Sequence, residues 1–310
     1  MYIDSIGADF PSSFFHGGFD KDKMFAQQTM CENCLAFPPP GSSDSVRVDK
    51  RKVRESFDRA ALRYDEIAEL QRTIGDRLLA HLDPVRLQPD TVLDMGAGTG
   101  YCLPFLENRY PEAHMVVLDL AEIMVKEART KNPTLEKGLF LCGDAEHLPL
   151  RENSIDLLFS NVAVQWCNDL EGVCREFARI LRPNGLLAFT TFGPDTLWEL
   201  RDSWEQVDAN SHVNTFLDMH DIGDILLHTG FTGIVMDKEE ITCTYETVRT
   251  LMRDLKTLGA HNATTNRPRG LTGKRRIQAM MEAYEGHRKN GCIPATYEVI
   301  YAHGWLPETL

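Results

Sequence analysis

Residues 91–100 read Thr-Val-Leu-Asp-Met-Gly-Ala-Gly-Thr-Gly. Val92 and Leu93 end an apolar run, Asp94 follows, and Gly96, Gly98 and Gly100 come at every second position. A strand that closes on a carboxylate and opens into a glycine turn presents bare backbone N–H groups, which a ligand can approach closely. The pattern Asp94-x-Gly96-x-Gly98-x-Gly100 differs from the dinucleotide fingerprint G-x-G-x-x-G. A carboxylate at Asp94 would repel a pyrophosphate but can pair with a cationic amino group, so the stretch points to a small polar cofactor.

Working outward from this turn, apolar strand candidates recur at Met115–Leu118, Gly138–Leu141, Ile155–Ser160 and Leu186–Thr190. Helical patterns lie between them, notably Ala121–Thr130 and Leu170–Leu181. That alternation predicts a doubly wound α/β fold with a mostly parallel sheet. Arg182-Pro183-Asn184-Gly185 reads as a stop and turn before the fifth strand. Further on, helices are expected over Asp195–Asn210 and 214–230, strands over Ile234–Met236, Glu240–Tyr245 and Ala295–His303, and mostly helix over 246–290, broken at Asn262–Gly273. Upstream, helical spacing begins near Lys50 and runs through Val53, Phe57, Tyr64, Ile74 and Leu82.

Two more carboxylates close strands on the same edge. Asp119 ends the second strand and suits a ribose diol. Asp144 follows the third and can meet the exocyclic amine of adenine, while Asn161 closes the fourth. The carboxyl ends of the strands are the ligand edge of an open α/β sheet.

The chain has 310 residues, 43% apolar and 25% charged, with a formal net charge of -13. This balance suits one large α/β domain with additions, and the acidic charge disfavours nucleic acid as a partner. No apolar run approaches the roughly 18 residues of a membrane span, and the N-terminus lacks the pattern of a secretion signal. Eight cysteines are too dilute for a disulfide scaffold, so the cytoplasm is the expected compartment. Cys31 and Cys34 form an isolated C-x-x-C, and His212 has no ligand companions at useful spacing, so no metal is assigned. Residues 1–48, with Pro38-Pro39-Pro40 and Gly41-Ser42-Ser43, read as a loosely ordered extension, and 49–310 as the main domain.

The motif Val92–Gly100, with Asp119 and Asp144, resembles the class I S-adenosylmethionine-dependent methyltransferases. That resemblance covers about residues 50–192. It implies a seven-stranded, mostly parallel Rossmann-like sheet with a helical cap inserted after the fifth strand. It also implies S-adenosylmethionine contacts at Asp94, Gly96, Ala97, Gly98, Asp119, Leu120, Asp144, Ala145 and Asn161, with S-adenosylhomocysteine as the product.

Four further stretches resemble the malonyl-acyl-carrier-protein O-methyltransferases of biotin synthesis, the BioC family. They are Ser56–Ala61 through Tyr64-Asp65 to Leu70-Gln71, then Ser160–Cys167, then Phe192–Arg201 with His212-Val213-Asn214, and last Leu255-Lys256 through Gly259–Asn262 to Arg269–Gly273. Pro294–Val299 also fits. This resemblance spans about residues 50–306. It implies methyl transfer to the free carboxylate of malonyl-acyl-carrier protein or malonyl-coenzyme A, the primer for pimeloyl and biotin synthesis. It leaves residues 1–48 without a role.

An ionised carboxylate needs no general base, so alignment and water exclusion should dominate. Arg201 is the expected grip on the malonyl carboxylate and Tyr64 the expected closure of the cofactor pocket. Gln165 and Trp166 are expected at the floor of the substrate site, and His212 and Asn214 are expected to bind substrate from cap elements at about 195–225 and 246–290. The acidic carrier calls for a local positive field, and Arg267, Arg269, Lys274, Arg275 and Arg276 supply the best one. A monomer is expected. The alternatives are a related fold member that modifies a protein arginine, which shares Asp195-Thr196-Leu197 and the Pro294–Tyr297 ending, and a non-catalytic cofactor-binding assembly factor.

Overall fold

The computed structural model of the protein describes residues 47–135, 138–258 and 273–308. The expectations for residues 1–46, including Cys31 and Cys34, and for Arg267 and Arg269 lie outside those residues.

The glycine turn follows an interior strand, third in the order of a seven-stranded sheet. The strands are β1 (Thr91–Met95), β2 (His114–Asp119), β3 (Leu139–Cys142), β4 (Ile155–Ser160), β5 (Leu181–Phe192), β6 (Thr232–Tyr245) and β7 (Ile293–Trp305). Their order is β3-β2-β1-β4-β5-β7-β6. The first five run parallel, and β7 is antiparallel to both β5 and β6. The order reverses at β1, which lies between β2 and β4, so the crevice outside the end of β1 is the switch point where such sheets take ligands.

Strand alternation divides the core. Val92, Val117, Leu157, Phe159 and Ala188 face one layer, with Ile74 and Leu78 of α3 (Glu69–His81) and Leu103 and Leu106 of α4 (Leu103–Arg109). Leu93, Val116, Leu118, Leu158 and Leu187 face the other, with Val173, Phe177 and Ile180 of α6 (Leu170–Ile180). All these side chains are nearly inaccessible to water, so burial on both sheet faces drives the fold. Asp169 caps α6 by accepting from the Gly172 amide at 2.9 Å.

A separate N-terminal layer covers the ligand edge. α1 (Lys50–Ala60) is capped by Asp49 and packs on α5 (Glu122–Lys131). A short 3-10 turn (Ala61–Arg63) and α2 (Tyr64–Ile67) lead into α3. The Asp58 carboxylate accepts from the Ile123 amide, and the Asp65 carboxylate accepts from the Thr99 hydroxyl and pairs with Lys131. These contacts tie the layer to the glycine turn and to α5.

Four sequence expectations are corrected. Arg182–Gly185 lies inside β5 rather than before it. Leu181 already pairs with Ile155, and the next pairing, Leu157 with Leu186, skips register around Asn184 at φ +62. The segments Ile234–Met236 and Glu240–Tyr245 belong to one strand, because β6 is the sheet edge and tolerates Asp237, Lys238 and Glu239 between them. The helix expected over Asp195–Asn210 is only α7 (Trp198–Glu205). Asp195 and Thr196 are held by Glu298 of β7, and the Leu197 amide donates to the Thr296 carbonyl, so none of the three can join the helix. The helix expected over 214–230 is α8 (Met219–His228), which packs on α6 and β6 as part of the sheet's covering layer. The cap above the sheet is α7 with α9 (Val248–Thr257) and α10 (Lys274–Tyr284).

Candidate active site

Two adjoining hollows open at the end of β1. The larger, of about 660 Å³, is lined by Met95, Gly96, Gly98, Asp119, Leu120, Asp144, Ala145 and Asn161 from the sheet edge, and by Lys50, Val53, Phe57 and Tyr64 from the N-terminal layer. Trp166 and Cys167 line it from the loop after β4. The smaller, of about 450 Å³, shares Tyr64, Gly96, Gly98 and Asn161 and adds Asp94, Ala97, Gln71 and Arg72.

The glycines are required at this junction. Gly96 has φ +73, and a Cβ there would lie 2.2 Å from the Ala163 Cβ. Gly98 has φ +55, and its amide donates to Asp119 at 2.9 Å. Both positions lie in the left-handed region that side chains disfavour.

The carboxylates are held in different ways. Asp94 is 2% exposed, and its Oδ2 is buried with no hydrogen-bond partner. Burial, with the nearby Asp119 charge, pushes its pKa up to about 7. Asp119 rises to about 6 by burial, against the Ala121 and Gly98 amides that favour its charge. Such groups gain from a cationic ligand. Asp144 accepts at Oδ1 from the Lys50 ammonium at 2.5 Å, and Glu146 lies 3.0 Å from the same nitrogen. Burial opposes the Lys50 charge, yet Cys167, Asp144 and Glu146 outweigh it and raise the lysine pKa. Burial raises the Tyr64 pKa, and the Asp119 and Asp65 charges add to it, so Tyr64 stays a neutral phenol and is no base at neutral pH.

The expected cofactor residues therefore gather around these two adjoining hollows, together with Tyr64 and Trp166. Asn161 is partly committed, donating to the Gln71 carbonyl and accepting from Thr190. The Phe57 ring meets the Trp166 indole edge-on at 5.5 Å. Of the expected acceptor residues, Trp166 lines the larger hollow, whereas Gln165, Arg201, His212 and Asn214 line neither. Arg201 donates to the Pro194 and Thr196 carbonyls, which braces the loop into α7. His212 stacks on Trp204 at 3.6 Å and meets Asp208 at 2.9 Å. Gln165 donates to the Val162 carbonyl, and its Oε1, like the Asn214 Oδ1, is buried without a partner. Lys274, Arg275 and Arg276 are exposed in the first turn of α10, and Arg276 lies 3.8 Å from Asp208.

Sequence reasoning missed Lys50, Gln71 and Arg72. Their helices are readable from periodicity, but periodicity does not say which helix face covers a pocket.

The strand order, the acidic end of β1 and its glycine turn define a class I methyltransferase that uses S-adenosylmethionine. A family model described as a methyltransferase domain matches residues 93–189. The fold matches that of the YcgJ protein of Bacillus subtilis, with a TM-score of 0.55, 18% identity, and 76% of this chain and 99% of that one covered. It also matches phosphoethanolamine N-methyltransferase 2 of Haemonchus contortus, with a TM-score of 0.53, 16% identity and coverage of 83% and 60%. The malonyl-[acyl-carrier protein] O-methyltransferase of Nitrosospira multiformis is 48% identical over 276 residues, which is 84% of this chain and 90% of that protein. The enzyme of the same name from Coxiella burnetii, numbered 1, is 44% identical over 85% and 90%. The chain belongs to the malonyl-[acyl-carrier protein] O-methyltransferase family and is an S-adenosylmethionine-dependent O-methyltransferase.

The residues present fit that cofactor. The orphaned Asp94 acceptor suits its cationic end, the side-chain-free turn at Gly96 and Gly98 admits it, and Asp119 and Asp144 stand at successive strand ends. When bound, S-adenosylmethionine supplies a methyl group activated on a sulfonium.

Proposed function

We propose that the protein methylates the free carboxylate of a malonyl thioester, giving the methyl ester that primes pimeloyl and biotin synthesis. The observation that carries this reading is kinship, over 84% of this chain and 90% of the relative, with a malonyl-[acyl-carrier protein] O-methyltransferase. The physical sense is direct. A terminal carboxylate is costly to desolvate in the apolar channel of a fatty-acid condensing enzyme, and esterification removes the charge.

The chain's own part is binding, orientation and exclusion of water. Tyr64, Phe57 and Trp166 close the cavity with aromatic surface, and Asp94 and Asp119 hold the cofactor's polar groups. No proton needs to be taken from an ionised acceptor, in keeping with a site whose tyrosine stays neutral. Arg201 braces the loop between β5 and α7, and in this reading it shapes the acceptor entrance rather than gripping the carboxylate.

The carrier docks on α10. Lys274, Arg275 and Arg276 form an exposed basic turn followed directly by the exposed Ile277, and Arg267 and Arg269 precede it in sequence. An acidic carrier meets there both charge and a small apolar contact in an otherwise acidic protein. Cytoplasmic action is part of the proposal, supported by the described cysteines being free thiols. Among the described residues no helix is long and apolar enough to cross a membrane.

The experiment is a single-turnover transfer from labelled S-adenosylmethionine to malonyl-acyl-carrier protein, followed by mild alkali. A carboxyl ester releases its label as methanol. Label that survives alkali, or that appears on a protein arginine, rejects the reading.

A further inference from the structure

We infer that the first turn of α3 is the receptor for the zwitterionic amino-acid head of the cofactor. Gln71 and Asp94 receive its ammonium, and Arg72 receives its carboxylate. The inference rests on the methyl-transfer reading of this site and adds residues from the N-terminal layer to it.

Three observations in the smaller hollow carry it. The Asp94 Oδ2 and the Gln71 Oε1 are both buried acceptors without a hydrogen-bond partner, and both residues line that hollow. Buried acceptors left unmatched are costly, and two of them beside one cavity suit a ligand with several N–H donors. An ammonium has three. Arg72 lines the same hollow, and among the described residues lining either hollow only Lys50 and Arg72 are cations. Lys50 is held by Asp144 and Glu146 at the far end, the end suited to adenine. The Arg72 Nη1 donates to the Asp65 carbonyl at 2.6 Å, which fixes a guanidinium that has five N–H donors in all. Two acceptors and one guanidinium in a single small hollow match an α-amino acid, not a phosphate and not an apolar group.

Placement agrees with chain connectivity. The Gln71 carbonyl accepts from Asn161 at 2.8 Å, which locks the start of α3 against the end of β4. A Cβ on Gly75, one turn further along, would stand 3.0 Å from both the Asn161 Nδ2 and the Cys102 Sγ. The helix is thus seated close to the strand ends, and Gln71 and Arg72 are carried to the rim of the glycine turn.

The test measures binding of two ligands by calorimetry with no acceptor present, so it does not depend on the malonyl assignment. S-Adenosylhomocysteine carries the amino-acid head, and 5′-methylthioadenosine lacks it. Arg72→Met should weaken S-adenosylhomocysteine by about 10- to 100-fold, the usual range for a charged hydrogen-bonded group, and change methylthioadenosine less than about 2-fold. Arg72→Lys keeps the charge but loses the fork, and should fall between wild type and Arg72→Met. Gln71→Leu should weaken S-adenosylhomocysteine about 5- to 10-fold and again spare methylthioadenosine. Equal weakening of both ligands would mean that Arg72 merely supports the helix layer, and it overturns the inference. Unchanged S-adenosylhomocysteine binding with a raised KM for the malonyl carrier also overturns it, since the guanidinium would then hold the acceptor's carboxylate.

Discussion

Asp94→Asn should stabilise the empty protein progressively as pH rises, and at the same time weaken the cofactor. Asp94 is 2% exposed and holds a pKa of about 7 in the fold, raised from 3.8 mainly by burial and then by Asp119. A carboxylate with a raised folded pKa binds protons more readily in the fold than in the unfolded chain. Its ionisation therefore costs stability as pH climbs from the unfolded value through the folded one. Integrating between those two values gives a cost of about 2 kcal/mol at pH 5.5 and about 4 kcal/mol at pH 8.5. Asparagine removes this cost at every pH, and any fixed penalty for its amide is the same at both. The stability difference between variant and wild type should then shift by about 2 kcal/mol in the variant's favour, or roughly 4–8 °C in melting temperature for a chain of this size. Differential scanning fluorimetry without ligand from pH 5.5 to 8.5 measures it. With saturating S-adenosylhomocysteine the order should reverse, because wild type gains the ligand's ammonium and the variant does not. A difference independent of pH in the empty protein would refute the reasoning.

Other outcomes follow from the same site. The affinity of wild type for S-adenosylhomocysteine should rise by about tenfold between pH 5.5 and 7.5 and level off above, as Asp94 and Asp119 ionise; a flat profile by calorimetry counts against the pair. Gly96→Ala should abolish measurable cofactor binding, since φ +73 and a 2.2 Å approach to Ala163 both oppose a Cβ, and adding Ala163→Gly should restore part of it. Lys50→Met leaves Asp144 and Glu146 facing each other, so it should lower stability by about 1–3 kcal/mol and weaken the cofactor, with Lys50→Arg intermediate. Lys274→Glu with Arg275→Glu should raise the KM for the carrier-linked acceptor about tenfold at low salt and leave S-adenosylhomocysteine binding unchanged; equal kinetics at low salt would remove α10 as the docking face.

The sheet was legible where local pattern and burial agree. Thr91–Met95 and Ile155–Ser160 are buried along almost their whole length, so an apolar run marks their ends well. The pattern failed where tertiary contacts decide. Asp195 and Thr196 look helical but are held by Glu298, roughly a hundred residues away in the chain, and β6 tolerates a charged middle only because it is an edge. In the site, the strand-end carboxylates could be read from position alone. Arg201 was chosen for its chemistry, and the fold shows its guanidinium on two backbone carbonyls. Lys50, Gln71 and Arg72 carry no local signal, because their meaning comes from a helical layer folding over a pocket built elsewhere.

The central claim is tested most directly by offering malonyl-acyl-carrier protein, malonyl-coenzyme A and acetyl-acyl-carrier protein separately, with S-adenosylmethionine, and weighing the products. One added methyl on malonyl species only, lost in Asp94→Ala, is the predicted result. Cofactor binding without transfer to either malonyl thioester, or transfer to the acetyl carrier, would contradict it.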